Sequence, residues 1–235
     1  MEFEIFNIIW RSLPYLLKGT LVTIELTFGF LAVGFIVGIP IAFLQTYGNH
    51  RIFNMFISPY LLFFRGVPEL VLLFLFYFGT AHININVSPF IAVILALGLR
   101  SAAFQSQIFR GAIQSIPDGQ FMAARSIGMS KFKAVKNIIL PQALRLSIPP
   151  WSNEYTIVLK QSSLAYAVGV TELMRQGRYI VARTFGNALI VYLVCALVYF
   201  ILVTWGIKIL YFFEKKFRIP GYEIKEASGR ANGRL

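Results

Sequence analysis

Two long apolar runs lie near the ends of the chain. Thr20–Leu44 reads "TLVTIELTFGFLAVGFIVGIPIAFL" with Glu25 as its only charge, and Ala188–Phe213 reads "ALIVYLVCALVYFILVTWGIKILYFF" with Lys208 as its only charge. Each exceeds the roughly 20 apolar residues a helix needs to cross a bilayer core. Three weaker runs lie between them. Ile57–Phe78 is apolar but interrupted by "RGVPE", where Gly66 and Pro68 predict a kink. Pro89–Phe109 is apolar up to Arg100 and polar beyond it, and Leu146–Val170 is the least hydrophobic, carrying Glu154 and Lys160. The pattern predicts an all-α polytopic membrane protein with five transmembrane helices, over about 20–44, 57–78, 89–109, 146–170 and 188–213.

Composition agrees. Of 235 residues, 57% are hydrophobic and 14% charged, where soluble domains average about a quarter charged. One transmembrane domain over 1–235, with a core of about 19–213, accounts for the chain without a repeat or a second domain. The opening "MEFEIFNIIWRSLPYLLKG" is acidic at its tip and lacks a small-residue cleavage site, so the first span is expected to remain uncleaved. The net charge of +12 sits in loops beside spans, which fits a positive-inside bias and not nucleic-acid binding. Segments 45–56, 110–145 and 214–235 hold thirteen Lys and Arg; the opposite side holds five, namely Arg11, Lys18, Arg175, Arg178 and Arg183. The expected topology therefore puts the N-terminus outside and the C-terminus, with a tail over 214–235, in the cytoplasm.

Little in the chain suggests covalent chemistry. Cys195 is the single cysteine, His50 and His82 have no metal-ligand spacing, and no GxxxxGK[ST] loop occurs. No catalytic residue and no metal site is expected, and no cofactor bound by this chain. Arg65 and Glu69, four apart around the Gly–Pro break, read as a structural ion pair, and Glu25 as a side chain snorkelling to the interface.

The expected cytoplasmic segment is unusual for a membrane protein: "DGQFMAARSIGMSKFKAVKNIILP" is amphipathic and basic. Asp118 is placed to cap a short helix ending near Gly128, and Ser130 to cap a second in which Phe132, Val135 and Ile138 recur at helical spacing. Pro141 fits the first turn of the next helical segment. From the residues alone, two uses stand open: a helix resting on lipid headgroups, or one docking a partner protein.

This coupling stretch, 117–140, resembles the EAA loop of permease subunits of binding-protein-dependent ABC importers. Ala123, Ala124, Gly128, Ile139, Leu140 and Pro141 match that pattern, while its usual Glu falls on Met122. The segments "FFRGVPELVLLF", "FRGAIQSIPDGQ", "LPQALRLSIPPWSNEY" and "LKQSSLAYAVGVTEL" extend the resemblance along nearly the whole chain, to the branch importing polar amino acids. The resemblance implies a multi-pass protein of a prokaryotic inner membrane, pairing with itself or a homologous permease. It implies two cytoplasmic ATP-binding subunits that carry ATP and magnesium, and an extracytoplasmic substrate-binding protein. The docking residues implied are Gly119, Met122, Ala123, Ala124, Arg125, Gly128, Met129 and Ser130. Candidates for the substrate path are Arg100, Gln107, Asn153, Glu154, Lys160 and Gln161, in irregular polar segments of the kind tolerated where they line a cavity; the competing reading is polar contact between helices. An amino-acid zwitterion needs both an anionic and a cationic partner. Relatives carrying Asn-like and acidic residues where Arg100 and Gln107 stand here point this chain away from arginine and lysine, toward glutamate, aspartate or glutamine. An ATP-independent channel or secondary carrier is the rival class.

Overall fold

A computed structural model describes residues 2–48, 50–184 and 188–217, and every regular element among them is helical. Helix α1 (Glu2–Tyr47) runs 46 residues through Pro14 and Pro40, so the first helix begins well before Thr20. Its partner along most of its length is α4 (Pro89–Gln114). The two backbones come close because Gly34 and Gly38, four apart on α1, face α4. A Cβ at Gly38 would stand 3.1 Å from both the Ala102 carbonyl oxygen and the Ser106 amide nitrogen. This is small-xxx-small packing, which lets helices approach in lipid where no hydrophobic force draws them together.

The expected single span over 57–78 is instead two helices, α2 (His50–Gly66) and α3 (Glu69–His82), bent by 110°. A proline cannot donate to the preceding turn and pushes its neighbour out of helical geometry. Here Pro68 stands at φ −57° and ψ 141°, and the helix restarts with Leu72 donating to the Pro68 carbonyl. Helix α4 then starts at Ser88, whose hydroxyl accepts from the Ile91 amide, with Pro89 in its first turn.

Beyond α4 the chain folds into short pieces: α5 (Asp118–Ser126), α6 (Lys131–Ala134), a π-helical stretch (Val135–Ile139), α7 (Leu140–Leu146) and α8 (Ile148–Gln161). Pro117, and not Asp118, occupies the cap position of α5, and Asp118 lies in its first turn without a capping bond. Ser130 does cap α6, accepting from the Lys133 amide, and Gly128 takes φ +86° at the junction. The expected span over 146–170 is not one helix: the 14-residue α8 tightens into a 3₁₀ stretch (Ser162–Val168) ending at left-handed Gly169. Helix α9 (Leu173–Thr184) and helix α10 (Ala188–Phe217) complete the chain. Three helices among the described residues are long and apolar enough to cross a membrane, Trp10–Tyr47, Pro89–Gln114 and Ala188–Phe217, or up to four if the bent pair counts as one. The tail expected over 214–235 lies, from Arg218 onward, outside the described residues.

Three apolar clusters fix the arrangement. Leu26, Phe30, Leu72, Leu97 and Val158 join α1, α3, α4 and α8. Phe109, Ile113, Ile139 and Ala143 tie the far end of α4 to α7. Leu16, Leu173, Ile180 and Val191 hold α9 against α1 and α10. The stretch 117–140 and α9 thus sit at opposite ends of α1: Lys131 donates to the Tyr47 carbonyl at 2.6 Å, while Arg183 lies over Tyr15.

Candidate functional site

The break between α2 and α3 leaves a helix N-terminus within the apolar run 57–78, and Glu69 occupies its first turn. The positive end of the α3 dipole favours a carboxylate there. Glu69 does not pair with Arg65, as the spacing of the two suggests. Its Oε1 lies 2.6 Å from Nη2 of Arg100 on α4, and it accepts from Gln161 Nε2 on α8 at 3.0 Å. Gln161 closes the triangle by accepting from Arg100 Nη1 at 3.2 Å. Arg65 instead stands with its guanidinium 5.2 Å from the Phe104 ring centre, and Arg100 stands 4.5 Å from that same centre. One aromatic ring therefore serves two cations, an attraction between positive charge and π-face that is strengthened away from water.

One residue along α4, a second polar chain begins. Ser101 donates to Glu154 Oε1 at 2.7 Å, and Gln105 Nε2 donates to Ser101 at 3.0 Å and to the Leu31 carbonyl at 3.3 Å. Trp151 Nε1 donates to Gln105 Oε1 at 2.9 Å. Ser101 and Gln105 are wholly buried and Glu154 nearly so. Buried polar groups are tolerable in such a setting only when partnered, and here α1, α3, α4 and α8 are all held by this network.

The fold thus gathers Arg100, Glu154 and Gln161 from the candidate path, adding Glu69, Ser101, Gln105 and Trp151. Glu154 and Gln161 are seven apart, two turns along one face of α8. Asn153 and Lys160 share the neighbouring face and are exposed. Lys160 lines a separate cavity of about 370 Å³ with Ser163, Met174, Tyr192 and Cys195, so it does not supply the cation opposite Glu154. Gln107 lies further along α4, donating to Gln45 at 2.9 Å. The signal that would have found Glu69 is its place directly after Pro68, at the start of a helix.

At the other end, Gly119, Met122, Ala123, Arg125, Gly128 and Ser130 are exposed and Met129 is half-buried, but Ala124 is buried against the chain itself. Ala124 is therefore a packing residue of α5 and not part of its outer face. Two exposed apolar side chains lie on the same stretch outside the expected docking set: Ile127 at 76% exposure and Phe132 at 73%. The stretch is tethered inward, with Phe121 stacked on Tyr47 at 5.7 Å and Gln142 of α7 donating to Gln120 at 2.9 Å.

A third polar centre lies in the connection before α9. Glu172 is fully buried and accepts from the Met174 and Arg175 amides at 2.7 and 2.9 Å and from Tyr199 at 3.0 Å. Burial pushes its carboxyl up from 4.5 to about 7, against the opposing pull of those bonds and of the Arg175 charge.

Comparison with known proteins points the same way. The family described as "Binding-protein-dependent transport system inner membrane component" matches residues 34–219. The glutamine transport system permease protein GlnP of Escherichia coli (strain K12) is 32% identical over 221 residues, covering 93% of this chain and 100% of GlnP. The L-cystine transport system permease protein TcyB of Bacillus subtilis (strain 168) is 36% identical over 189 residues, 80% of each chain. The crystal structure of an amino acid ABC transporter with histidines superposes with a TM-score of 0.80 at 31% identity, covering 88% of this chain and 96% of that one. The chain belongs to the binding-protein-dependent transport system inner membrane components, within them to the permeases of polar amino-acid ABC importers.

Proposed function

We propose that this chain forms the translocation path of an ATP-driven importer for a polar amino acid, with glutamine the first candidate. The observation that carries this reading is the network of Glu69, Arg100, Gln161, Ser101 and Glu154 at the broken helix. Charged groups at membrane depth face a bundle interior or a watery cavity, and they mark substrate routes. Arg65 and Arg100 stand against Glu69 and Glu154, a balance that suits a zwitterion without net charge better than an acidic or a basic amino acid. This narrows the leaning toward glutamate, aspartate or glutamine, and it accords with the glutamine named for GlnP.

In this reading the spans cross the inner membrane of a prokaryote with the N-terminus outside, and two permease chains enclose the path. Each α5–α6 unit sits in a groove of a cytoplasmic ATP-binding subunit, which holds ATP and magnesium and performs the hydrolysis. The exposed Gly119, Met122, Ala123, Arg125, Gly128 and Ser130, with Ile127 and Phe132, are the contacting surface. Movement of α5 reaches the network by two routes, through Phe121 and Tyr47 into α1 and through Gln120 and Gln142 into α7 and so α8. Alternating access would follow as those helices shift relative to α4.

The test is purification in mild detergent followed by reconstitution in proteoliposomes with the binding protein inside or outside. ATP-dependent uptake of labelled glutamine, competed by neutral polar amino acids and lost in Arg100→Ala, is expected. Transport that survives Arg100→Ala would remove Arg100 from the path, and uptake that needs no ATP would make the chain a carrier.

A further inference from the structure

Helix α9 carries its apolar residues Leu173, Gly177 and Ile180 inward, against α1 and α10. Its outward residues include Arg178, Tyr179 and Arg183. An interfacial helix would need its apolar face for acyl chains, but here that face is already occupied by the protein. The polar face is thus left to an aqueous partner. Beside it opens a cavity of about 490 Å³, walled by Tyr77 and Phe78 of α3, by Tyr166 and Gly169, and by Arg175, Arg178 and Tyr179. Gly169 ends the 3₁₀ stretch along this wall at φ +104°, a backbone conformation that favours glycine.

The cations of this cavity are oriented mainly by uncharged partners. Arg175 donates to the Tyr166 carbonyl at 3.2 Å and to the Tyr179 hydroxyl at 2.7 Å, and Arg178 lies 5.2 Å over the Tyr166 ring. Neither forms an ion pair within 4.0 Å among the described residues. Glu172, the nearest acid in sequence, is fully buried and engaged by three donors. An amino-acid substrate would also need a partner for its ammonium, and the cavity offers no exposed carboxylate.

We infer that this cavity receives an acidic side chain, Asp or Glu, projecting from the extracytoplasmic substrate-binding protein. This rests on the importer reading and its topology, which put α9 at the outer end, opposite the ATPase-docking stretch. The planar guanidinium fork of Arg178 fits a carboxylate bidentately. Tyrosine and arginine are also the residue types that anchor protein interfaces.

The experiment uses the full complex in phosphatidylcholine nanodiscs and titrates its glutamine-loaded binding protein while ATPase activity is followed. Stimulation of the unaltered complex comes first; its absence would overturn the importer reading itself. With stimulation present, Arg178→Glu should raise the half-maximal concentration of binding protein by at least about tenfold, with Arg178→Lys in between. Arg183→Glu, the same charge change outside the cavity, should shift it less than about twofold. Exchanging the matching acid on the binding protein for Arg should restore the Arg178→Glu titration. An unshifted Arg178→Glu titration overturns the proposal. Equal shifts from Arg178→Glu and Arg183→Glu would replace it with diffuse charge steering, and an Arg178→Glu effect confined to discs containing anionic lipid would replace it with a headgroup site.

Discussion

Arg100 has one carboxylate, one amide and one ring around it, and each comes from a different turn or helix. Removing one partner of such a pair strands the other charge, whereas removing both leaves only a hole or an apolar contact. Arg100→Met should therefore lower stability by on the order of 3 kcal/mol, reduced somewhat because the Glu69 side chain is 32% exposed. The double replacement Arg100→Met with Glu69→Met should regain most of that loss. Thermal melting of the detergent-solubilised complex for the two singles and the double closes this cycle, and a loss in the double equal to the sum of the two singles would mean that the pair is not coupled. Glu172 gives a prediction with a pH axis. Its folded pKa is raised to about 7 from an ordinary 4.5. The unfolded chain therefore releases this proton first, and the contribution present below about pH 4.5 is lost as pH rises through about 7. Melting temperature should fall between pH 5 and pH 8, and Glu172→Gln should flatten that fall while leaving the low-pH value nearly unchanged.

At the scale of elements, α5 carries two kinds of small residue. Ala123 faces outward and Ala124 inward. Ala123→Trp should abolish co-purification of the ATP-binding subunit from a permease that melts normally, whereas Ala124→Trp should lower the melting temperature as well. Gly128 has open space around its missing Cβ but φ +86°, so Gly128→Ala should cost on the order of 1 kcal/mol without removing the ATPase. These elements were legible because their signals are local: a glycine at a positive φ, a serine three residues before the amide it caps, a proline after a glycine. The partner of Glu69 was not legible. Spacing four apart suggests Arg65, but the 110° bend at Pro68 takes the two apart from any common helical face. The angle of a break depends on what packs on either side, and sequence reports only that a break exists. Helix α9 is hidden for a related reason. Its 12 residues are too short and too polar for a span, and its helical state is secured by Glu172 below and Thr23 beside it, 150 positions away for the latter contact. Likewise the division of α8 residues between network and surface required knowing which face α4 covers.

Over the whole molecule, the α1–α4 seam carries the bundle, and its spacing is set by Gly34 and Gly38. Gly38→Leu would force the helices apart across backbone contacts, with a cost of about 1–3 kcal/mol or more; reduced recovery of folded chain from membranes, measured against Gly38→Ala, checks this. The same seam has an optical consequence. The chain has three tryptophans. Trp10 and Trp205 are about two-thirds exposed, at 66% and 64%, while Trp151 is half-buried, with its indole NH on Gln105 at the junction of α8 with α4. Replacing Trp10 and Trp205 by Phe would leave a single native fluorophore where α8 meets the polar network. Any rearrangement that separates α8 from α4 breaks that hydrogen bond and changes the solvation of the ring. The colour of Trp151 emission would then report the separation of α8 from α4 in real time, with no dye attached.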